Sequence, residues 1–153
     1  MKRQGGFTLI ELMVSIAIVG ILAATSITLL GKYRERATGT EAQLMLKAIL
    51  DAQIIYFLEK EDFYPQGAGE FIEIPRDPNP TQDTKDNLIG IQQYLKVTIP
   101  VGHNLTYTFT NYGIDFILTI TAPFSIFPDG ATVIQGTLDK NGRIDILRMG
   151  YTG

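Results

Sequence analysis

The hydrophobic and polar positions divide the chain into stretches with different periods. From Leu12 to Leu30 nineteen residues carry no charge, and counting from Phe7 gives 24, enough to cross a hydrocarbon core of about 30 Å. A secretory signal would have a shorter apolar run before a small-residue cleavage site, and "ILAATS" keeps a cleaved signal peptide as an alternative. No second apolar span follows, so the pattern predicts a single-pass membrane protein.

Beyond Gly31 the helical period continues, but only one face is apolar. Apolar and polar residues each recur at spacings of three or four, which is typical of an amphipathic helix. The apolar positions are Met45, Ile49, Ala52 and Tyr56, and the polar positions are Thr40, Gln43, Lys47 and Asp51. The pattern predicts a helix that runs to about Lys60 and is ended by Pro65 and Gly67.

In the C-terminal part the period changes to two, which predicts strands. The alternating stretches are "LTYTFT", "DFILTIT", "TVIQGTLD" and "RIDILRM", with turns at "NYG" and at Asn141-Gly142. Residues Gly67 to Asp86 contain three prolines and predict a long loop, while "DNLIGIQQYLKV" fits a short helix or a strand. The predicted fold class is α+β: a long N-terminal α-helix packed on a roughly four-stranded antiparallel β-sheet.

Composition excludes several kinds of chemistry. There are no cysteines, so neither disulfides nor thiolates are available, and a net charge of −3 provides no basic surface for nucleic acid. His103 is the only histidine and has no acidic cluster near it in the sequence. "NLT" at Asn104 fits a glycosylation sequon. No catalytic constellation is evident, so we expect no enzymatic activity and no cofactor.

Glu11 is the one charge inside the apolar run from Phe7 to Leu30. A carboxylate near the centre of a bilayer costs about 2.5 kcal/mol or more, which calls for a partner or for a position at the headgroup boundary. The flanking basic residues leave the orientation open: Lys2 and Arg3 favour a cytoplasmic N-terminus, but basic residues also follow the span. These are Lys32, Arg34 and Arg36.

"GGFTLIELMVSIAIVGILAA" resembles the type III signal sequence of type IV pilins and pseudopilins. That family has a short basic leader ending in Gly, then Phe, then Thr-Leu-Ile-Glu-Leu and an apolar helix. "DAQIIYFLEKEDFYP" resembles, more loosely, the end of the pilin helix and its exit. Two features depart from many members: Thr28 stands where they have proline, and the cysteine pair of many Gram-negative pilins is missing.

The resemblance implies roles for four residues. A prepilin peptidase would cut between Gly6 and Phe7, and the new amine of Phe7 would be N-methylated. Glu11 would be the fifth mature residue and would pair with the Phe7 amine of its own or a neighbouring copy, which sets axial register. Gly20 matches the glycine near which the helix loosens in assembled filaments.

The resemblance also implies an organisation and a function. Residues 1–6 are the leader, 7–30 the transmembrane and filament-core helix, 31–62 its amphipathic continuation, and 63–153 the globular loop and sheet region. We expect a structural subunit of a type IV pilus, in the inner membrane before assembly and on the cell surface afterwards. Its partners would be its own copies, the prepilin peptidase/methyltransferase, the inner-membrane assembly machinery and the lipid bilayer.

Two other functions stay open. One is a pseudopilin of a type II secretion system, assembled into a periplasmic pseudopilus, which the absence of cysteines favours. The other is a membrane-anchored periplasmic binding domain that never polymerises. Because some secretion pseudopilins bind calcium near the C-terminus, Asp139, Asn141 and Asp145 are candidate calcium ligands. Thr137 and Arg148 occupy the end positions of an EF-hand-type loop, however, so a hairpin turn is the preferred interpretation.

Overall fold

The computed structural model of the chain describes residues 7–100, 102 and 104–150. Its contacts divide the chain into two compact units, Met1–Arg34 and Glu35–Gly153. The first unit contains the N-terminal part of helix α1, and the second contains the rest of α1 with the sheet and a second helix.

Helix α1 spans Leu9–Lys60, as the continuous helical pattern predicts. Glu61 ends it with a φ of 58°, in the left-handed region, while its N–H still donates to the Phe57 carbonyl at 2.8 Å. A residue in this conformation turns the chain out of the helix, since the backbone can no longer continue the helical ladder.

The sheet has five strands, one more than the sequence predicts. They are β1 (Phe71–Ile74), β2 (Thr106–Asn111), β3 (Asp115–Thr121), β4 (Val133–Asp139) and β5 (Ile144–Met149). They lie in the order β1-β2-β3-β4-β5, and each neighbouring pair is antiparallel. The predicted fold class, a long N-terminal helix with an antiparallel sheet, is confirmed, and β1 and β5 are the two edge strands.

The prediction of a loop over Gly67–Asp86 is wrong in two places. Strand β1 lies within it, where Ile72 and Ile74 pair with Phe109 and Tyr107 on the inner face of the sheet. A four-residue strand gives too short an alternation to be found by its period alone. The second place is the start of helix α2, Gln82–Leu95, which begins inside the predicted loop and contains most of the ambiguous "DNLIGIQQYLKV". Its N-cap Thr81 accepts from the Thr84 N–H at 3.3 Å.

The core of the second unit lies between one face of α1 and the inner face of the sheet. Side chains from α1 fill it together with alternate residues of β2, β3 and β4. The fully buried members from α1 are Ala42, Leu46, Ile49 and Leu50. Gly136 on β4 makes the close approach possible, because a Cβ there would lie 2.7 Å from a Leu50 methyl group. The sheet therefore holds α1 by large side chains packed over a glycine.

A second close approach fixes the β3–β4 loop against α1. Gly39 is buried, and a Cβ at this position would overlap the backbone carbonyl oxygen of Ile126. Ile126 is itself held in the loop by its N–H, which donates to Ala131 at 3.0 Å. Because the opposing atom is backbone, it has little freedom to move aside.

The segment after α1 is fixed by buried amide side chains. Gln53 Nε2 donates to the Tyr64 carbonyl, and the Tyr64 N–H donates back to Gln53 Oε1 at 3.0 Å. Asn111, at the end of β2, donates through Nδ2 to Asp62, Phe63 and Pro65 at 2.9 to 3.0 Å. These bonds join the exit of α1 to the sheet, as buried polar groups require.

Candidate assembly site

The N-terminal end of α1 is held by reciprocal hydrogen bonds between Thr8 and Glu11. The backbone N–H and the hydroxyl of Thr8 donate to Glu11 Oε2 at 3.0 and 2.9 Å. The Glu11 N–H donates back to Thr8 Oγ1 at 3.3 Å. Since Leu9 is the first helical residue, Thr8 is the N-cap and Glu11 the third helical residue. The arrangement is a capping box, which satisfies amide groups that the first turn leaves without helical partners.

Sequence analysis missed the role of Thr8, although the signal was present. Thr8-Leu9-Ile10-Glu11 fits the Thr-x-x-Glu pattern that precedes an apolar helix. The carboxylate of Glu11 therefore has hydrogen-bond donors within its own chain. Both donors of Thr8 bind the same oxygen, Oε2, so Oε1 can accept from an ammonium group without breaking them.

The other residues of the predicted processing site are only partly described. Phe7 is 82% exposed and lines a shallow cleft of the first unit with Ile10, Glu11, Val14 and Ser15. Gly6 lies outside the described residues. Cleavage between Gly6 and Phe7, and pairing of the resulting amine with Glu11, stay predictions.

Three hydroxyl groups of the apolar segment, those of Ser15, Thr25 and Ser26, bond to the helix that carries them. Ser15 Oγ donates to the Glu11 carbonyl at 2.7 Å, and Ser26 Oγ donates to the Leu22 carbonyl at 2.7 Å. Thr25 Oγ1 donates to the same Leu22 carbonyl at 3.0 Å. Hydroxyl groups satisfied in this way add little to the cost of placing the segment in hydrocarbon.

By length and composition, α1 is long and apolar enough to cross a membrane. The most apolar stretch of 18 residues in this helix is not buried at all, whereas the core helix of a soluble protein is mostly buried. A signal sequence near an N-terminus can have the same length and composition. The helix is continuous through Gly20 and position 28, and a Cβ at Gly20 would meet no atom within 4 Å. Loosening at Gly20 in a filament stays a prediction.

The candidate calcium ligands lie in and beside the β4–β5 turn. Asp139 Oδ1 accepts from the N–H groups of Arg143 and Asn141 at 2.8 and 2.9 Å, and Gly142 has a φ of 79°. The hydrogen bond from the Arg143 backbone, followed by those from Asn141, holds the pKa of Asp139 below its usual value. These contacts build the predicted hairpin turn, and calcium binding by Asp139, Asn141 and Asp145 stays the less favoured alternative.

The remaining sequence candidates contribute no site. Within residues 7–100, 102 and 104–150 there is no group of three or more His, Asp or Glu side chains that could hold a metal ion. Asn104 is exposed in the loop before β2. His103 falls outside the residues that the structure describes.

The segment that contains the capping box matches a known family motif. A family model described as the prokaryotic N-terminal methylation motif matches residues 1–27. The type IV major pilin protein PilA of Myxococcus xanthus is 48% identical over 68 residues, 44% of this chain and 30% of that protein. Over part of its length the chain is similar to a type IV major pilin.

Other relatives carry similar names. The type IV major pilin protein PilE1 of Neisseria gonorrhoeae is 49% identical over 55 residues, which cover 36% of this chain and 33% of that protein. A fimbrial protein of Pseudomonas aeruginosa is 44% identical over 62 residues, 40% of each chain. The chain thus spans only 30 to 40% of the length of these relatives.

Proposed function

We propose that the protein is a structural subunit of a type IV pilus, assembled into a helical filament through the N-terminal part of α1. The observation that carries this proposal is an apolar helical surface with a single carboxylate at its N-terminal end. The large apolar side chains from Phe7 to Leu30 are more than half exposed, and Glu11 is the only charged residue among them. Such a surface requires lipid or other helices around it.

Processing would prepare this surface for assembly. Residues 1–6 are the leader, removed by cleavage between Gly6 and Phe7, and Phe7 is then N-methylated. Loss of Lys2 and Arg3 changes the formal net charge from −3 to −5, eleven basic against sixteen acidic residues. The new ammonium is the main-chain amine of Phe7, which directly precedes the N-cap Thr8 and so lies near the first helical turn that carries the Glu11 carboxylate.

Assembly exchanges lipid for protein around residues 7–30. Apolar contacts with lipid are replaced by contacts with neighbouring helices, so the exchange needs a further interaction that selects one stagger. The pair of the Phe7 ammonium and Glu11 supplies it, because a mispaired charge in hydrocarbon costs several kcal/mol. Gly20 lets the helix loosen locally as the subunits pack, residues 31–62 continue the helix, and residues 63–153 form the globular region.

The location and partners follow from this route. The precursor lies in the inner membrane, where the prepilin peptidase/methyltransferase and the assembly machinery act on it. Its globular region lies outside the cytoplasm. The finished filament is on the cell surface. A periplasmic pseudopilus of a type II secretion system is the second candidate, favoured by the absence of cysteines. The names of the relatives, type IV major pilins and fimbrial proteins, favour the pilus.

Mass spectrometry of the N-terminal peptide tests the proposal. The peptide is measured in membranes and in a fraction sheared from the cell surface. A peptide that begins with N-methylated Phe7 and is abundant in the sheared fraction is expected for a pilus subunit. The same peptide confined to the cell envelope indicates a pseudopilin. A retained leader indicates an anchored, non-polymerising domain, and a cut after Ala24 indicates a secreted protein.

A further inference from the structure

The apolar segment of α1 is followed by two basic residues with a tyrosine between them. Tyr33 is 64% exposed, and Lys32 and Arg34 on either side of it are exposed as well. Long basic side chains and tyrosine rings are typical of the boundary between hydrocarbon and headgroups, since each has an apolar body and a polar end. We define the basic collar by Lys32, Tyr33 and Arg34.

The length of the uncharged stretch before the basic collar determines where the collar lies in a bilayer. Residues 12–31 are twenty residues of one continuous helix without a charge, about 30 Å at roughly 1.5 Å per residue. The hydrocarbon core of a bilayer is also about 30 Å thick, so the stretch matches it. With Glu11 in the headgroup layer on one side, the basic collar lies in the headgroup layer on the other, where lipid phosphates are within reach.

The two basic residues of the collar lie on different sides of the helix. At 3.6 residues per turn, positions 32 and 34 are separated by about 200° around the helix axis and do not face each other. A partner protein that docks on one face of the helix would contact one of these charges and not the other. Lipid surrounds a single transmembrane helix on every side, so headgroups can contact both. The spacing of Lys32 and Arg34 therefore favours a membrane surface over a protein partner.

The charge of the basic collar is not cancelled by acids near it in the sequence. No Asp or Glu occurs between Glu11 and Glu35, and the formal charge of Glu35 is balanced by that of Arg36. Lys32 and Arg34 therefore contribute two positive charges directly after the span. Beyond a span whose N-terminus is cytoplasmic, such charges oppose the usual bias of basic residues toward the cytoplasm. Their position calls for an anionic partner on that side of the membrane.

We propose that Lys32 and Arg34 bind the phosphate groups of anionic phospholipids on the side of the membrane opposite Glu11. Both side chains offer a positive charge and several N–H donors, which match the oxygens of a phosphate group. The contact belongs to the precursor, because a copy inside a filament has left the bilayer. The proposal rests on the proposed function only in requiring the chain to cross a membrane, and it involves neither leader removal nor contacts between copies.

Native mass spectrometry of the full-length chain tests the contact. The chain is reconstituted into nanodiscs that contain phosphatidylglycerol and phosphatidylcholine in equal amounts, and the lipids released with it are counted. The parent chain should prefer phosphatidylglycerol. Lys32→Gln with Arg34→Gln should lower this preference about tenfold or more, since each basic residue near an anionic surface contributes about fivefold. Lys47→Gln with Lys60→Gln removes the same charge from exposed positions later in α1 and should leave the preference unchanged.

A variant that keeps both charges separates charge from other effects of substitution. Lys32→Arg with Arg34→Lys should keep most of the preference for phosphatidylglycerol. The same lipid ratio for the parent chain and the double Gln variant would overturn the proposal, and normal filaments from the parent would leave the pilus function standing. An unchanged lipid ratio with loss of filaments in the double Gln variant would also overturn it, since the two residues would then act between copies. A preference that depends on both charges in a chain that forms no filaments would support the proposal and contradict the pilus function.

Discussion

Thr8 and Glu11 hold each other at the start of α1 through three hydrogen bonds of 2.9 to 3.3 Å. The carboxylate thus has a structural role within one chain, as part of a capping box, besides the proposed role between chains. The two roles differ chemically, because capping needs an acceptor, whereas pairing with an ammonium group in an apolar core needs the negative charge.

Glu11→Gln separates these roles, since glutamine also closes a capping box but carries no charge. We expect leader cleavage to be retained and the yield of sheared filaments to fall by about tenfold or more, because an unpaired charge is left in an apolar core. Filament protein and the N-terminal peptide are quantified together. Thr8→Ser is the matched control and should assemble normally. Normal filaments from Glu11→Gln would show that the carboxylate acts only as a cap.

Asn111→Ala should destabilise the second unit. Nδ2 of Asn111 donates to three oxygens, and Oδ1 accepts from the Gly113 N–H at 2.7 Å. Removal leaves buried groups without these bonds, at a cost of about 1–3 kcal/mol for each group left unsatisfied. Thermal unfolding of the full-length chain in detergent measures the loss. Gln92→Ala, which removes an exposed amide from α2, should leave the melting temperature unchanged.

Gly39→Ala should also destabilise the fold, although alanine favours helices. The new Cβ would overlap the Ile126 carbonyl oxygen, and overpacking of this kind costs about 1–3 kcal/mol. Gly31→Ala is the matched control in the same helix, where a Cβ meets nothing within 4 Å. It should stabilise α1 by up to about 1 kcal/mol. Equal melting temperatures for the two variants would contradict the close packing of the β3–β4 loop.

Sequence patterns predicted the elements that repeat a period and missed those that depend on contacts. Helix α1 and strands β2 to β5 were found because each has six residues or more and repeats a pattern. The apolar positions recur every three or four residues in the second half of the helix and every two residues in the strands. Strand β1 has four residues and is specified by pairing with β2, which no local pattern shows. The requirement for Gly39 likewise comes from a carbonyl 87 residues away, the difference between positions 39 and 126.

The candidate site shows the same division. The apolar segment and Glu11 were evident from composition, and Thr8 was present in a recognisable motif that was not used.

The β4–β5 turn should not respond to calcium. Oδ1 of Asp139 already accepts two backbone N–H groups, so the turn is satisfied without a cation. We expect the melting temperature to be the same in millimolar Ca²⁺ and after treatment with a chelator. Asp139→Ala should lower the melting temperature in both conditions, because the turn loses these bonds. A calcium-dependent rise that disappears in Asp145→Asn would instead support the calcium candidates.

Asp62 should make the second unit sensitive to acid. Partial burial on its own raises the pKa of this carboxyl group, but donors from Asn111, Gly67 and Phe63 and the charge of Lys140 outweigh it, so the pKa lies below the usual value of 3.8. A pKa that is lower in the folded state means that the unfolded chain binds the proton more tightly. The stability that Asp62 contributes is therefore present above pH 3.8 and is lost as the pH falls through the folded pKa.

Asp62→Asn provides the test. At neutral pH the variant should unfold more easily than the parent chain, and the difference should shrink as the pH falls below 3.8, because the parent then becomes protonated at the same position. Denaturant unfolding of both chains between about pH 2 and pH 7 measures the difference. Glu59→Gln, at an exposed position near the end of α1, is the control for a general loss of negative charge. The prediction is wrong if the difference between the parent and Asp62→Asn stays constant down to about pH 2. The charge of Asp62 would then contribute nothing to the hydrogen bonds that join the exit of α1 to the sheet.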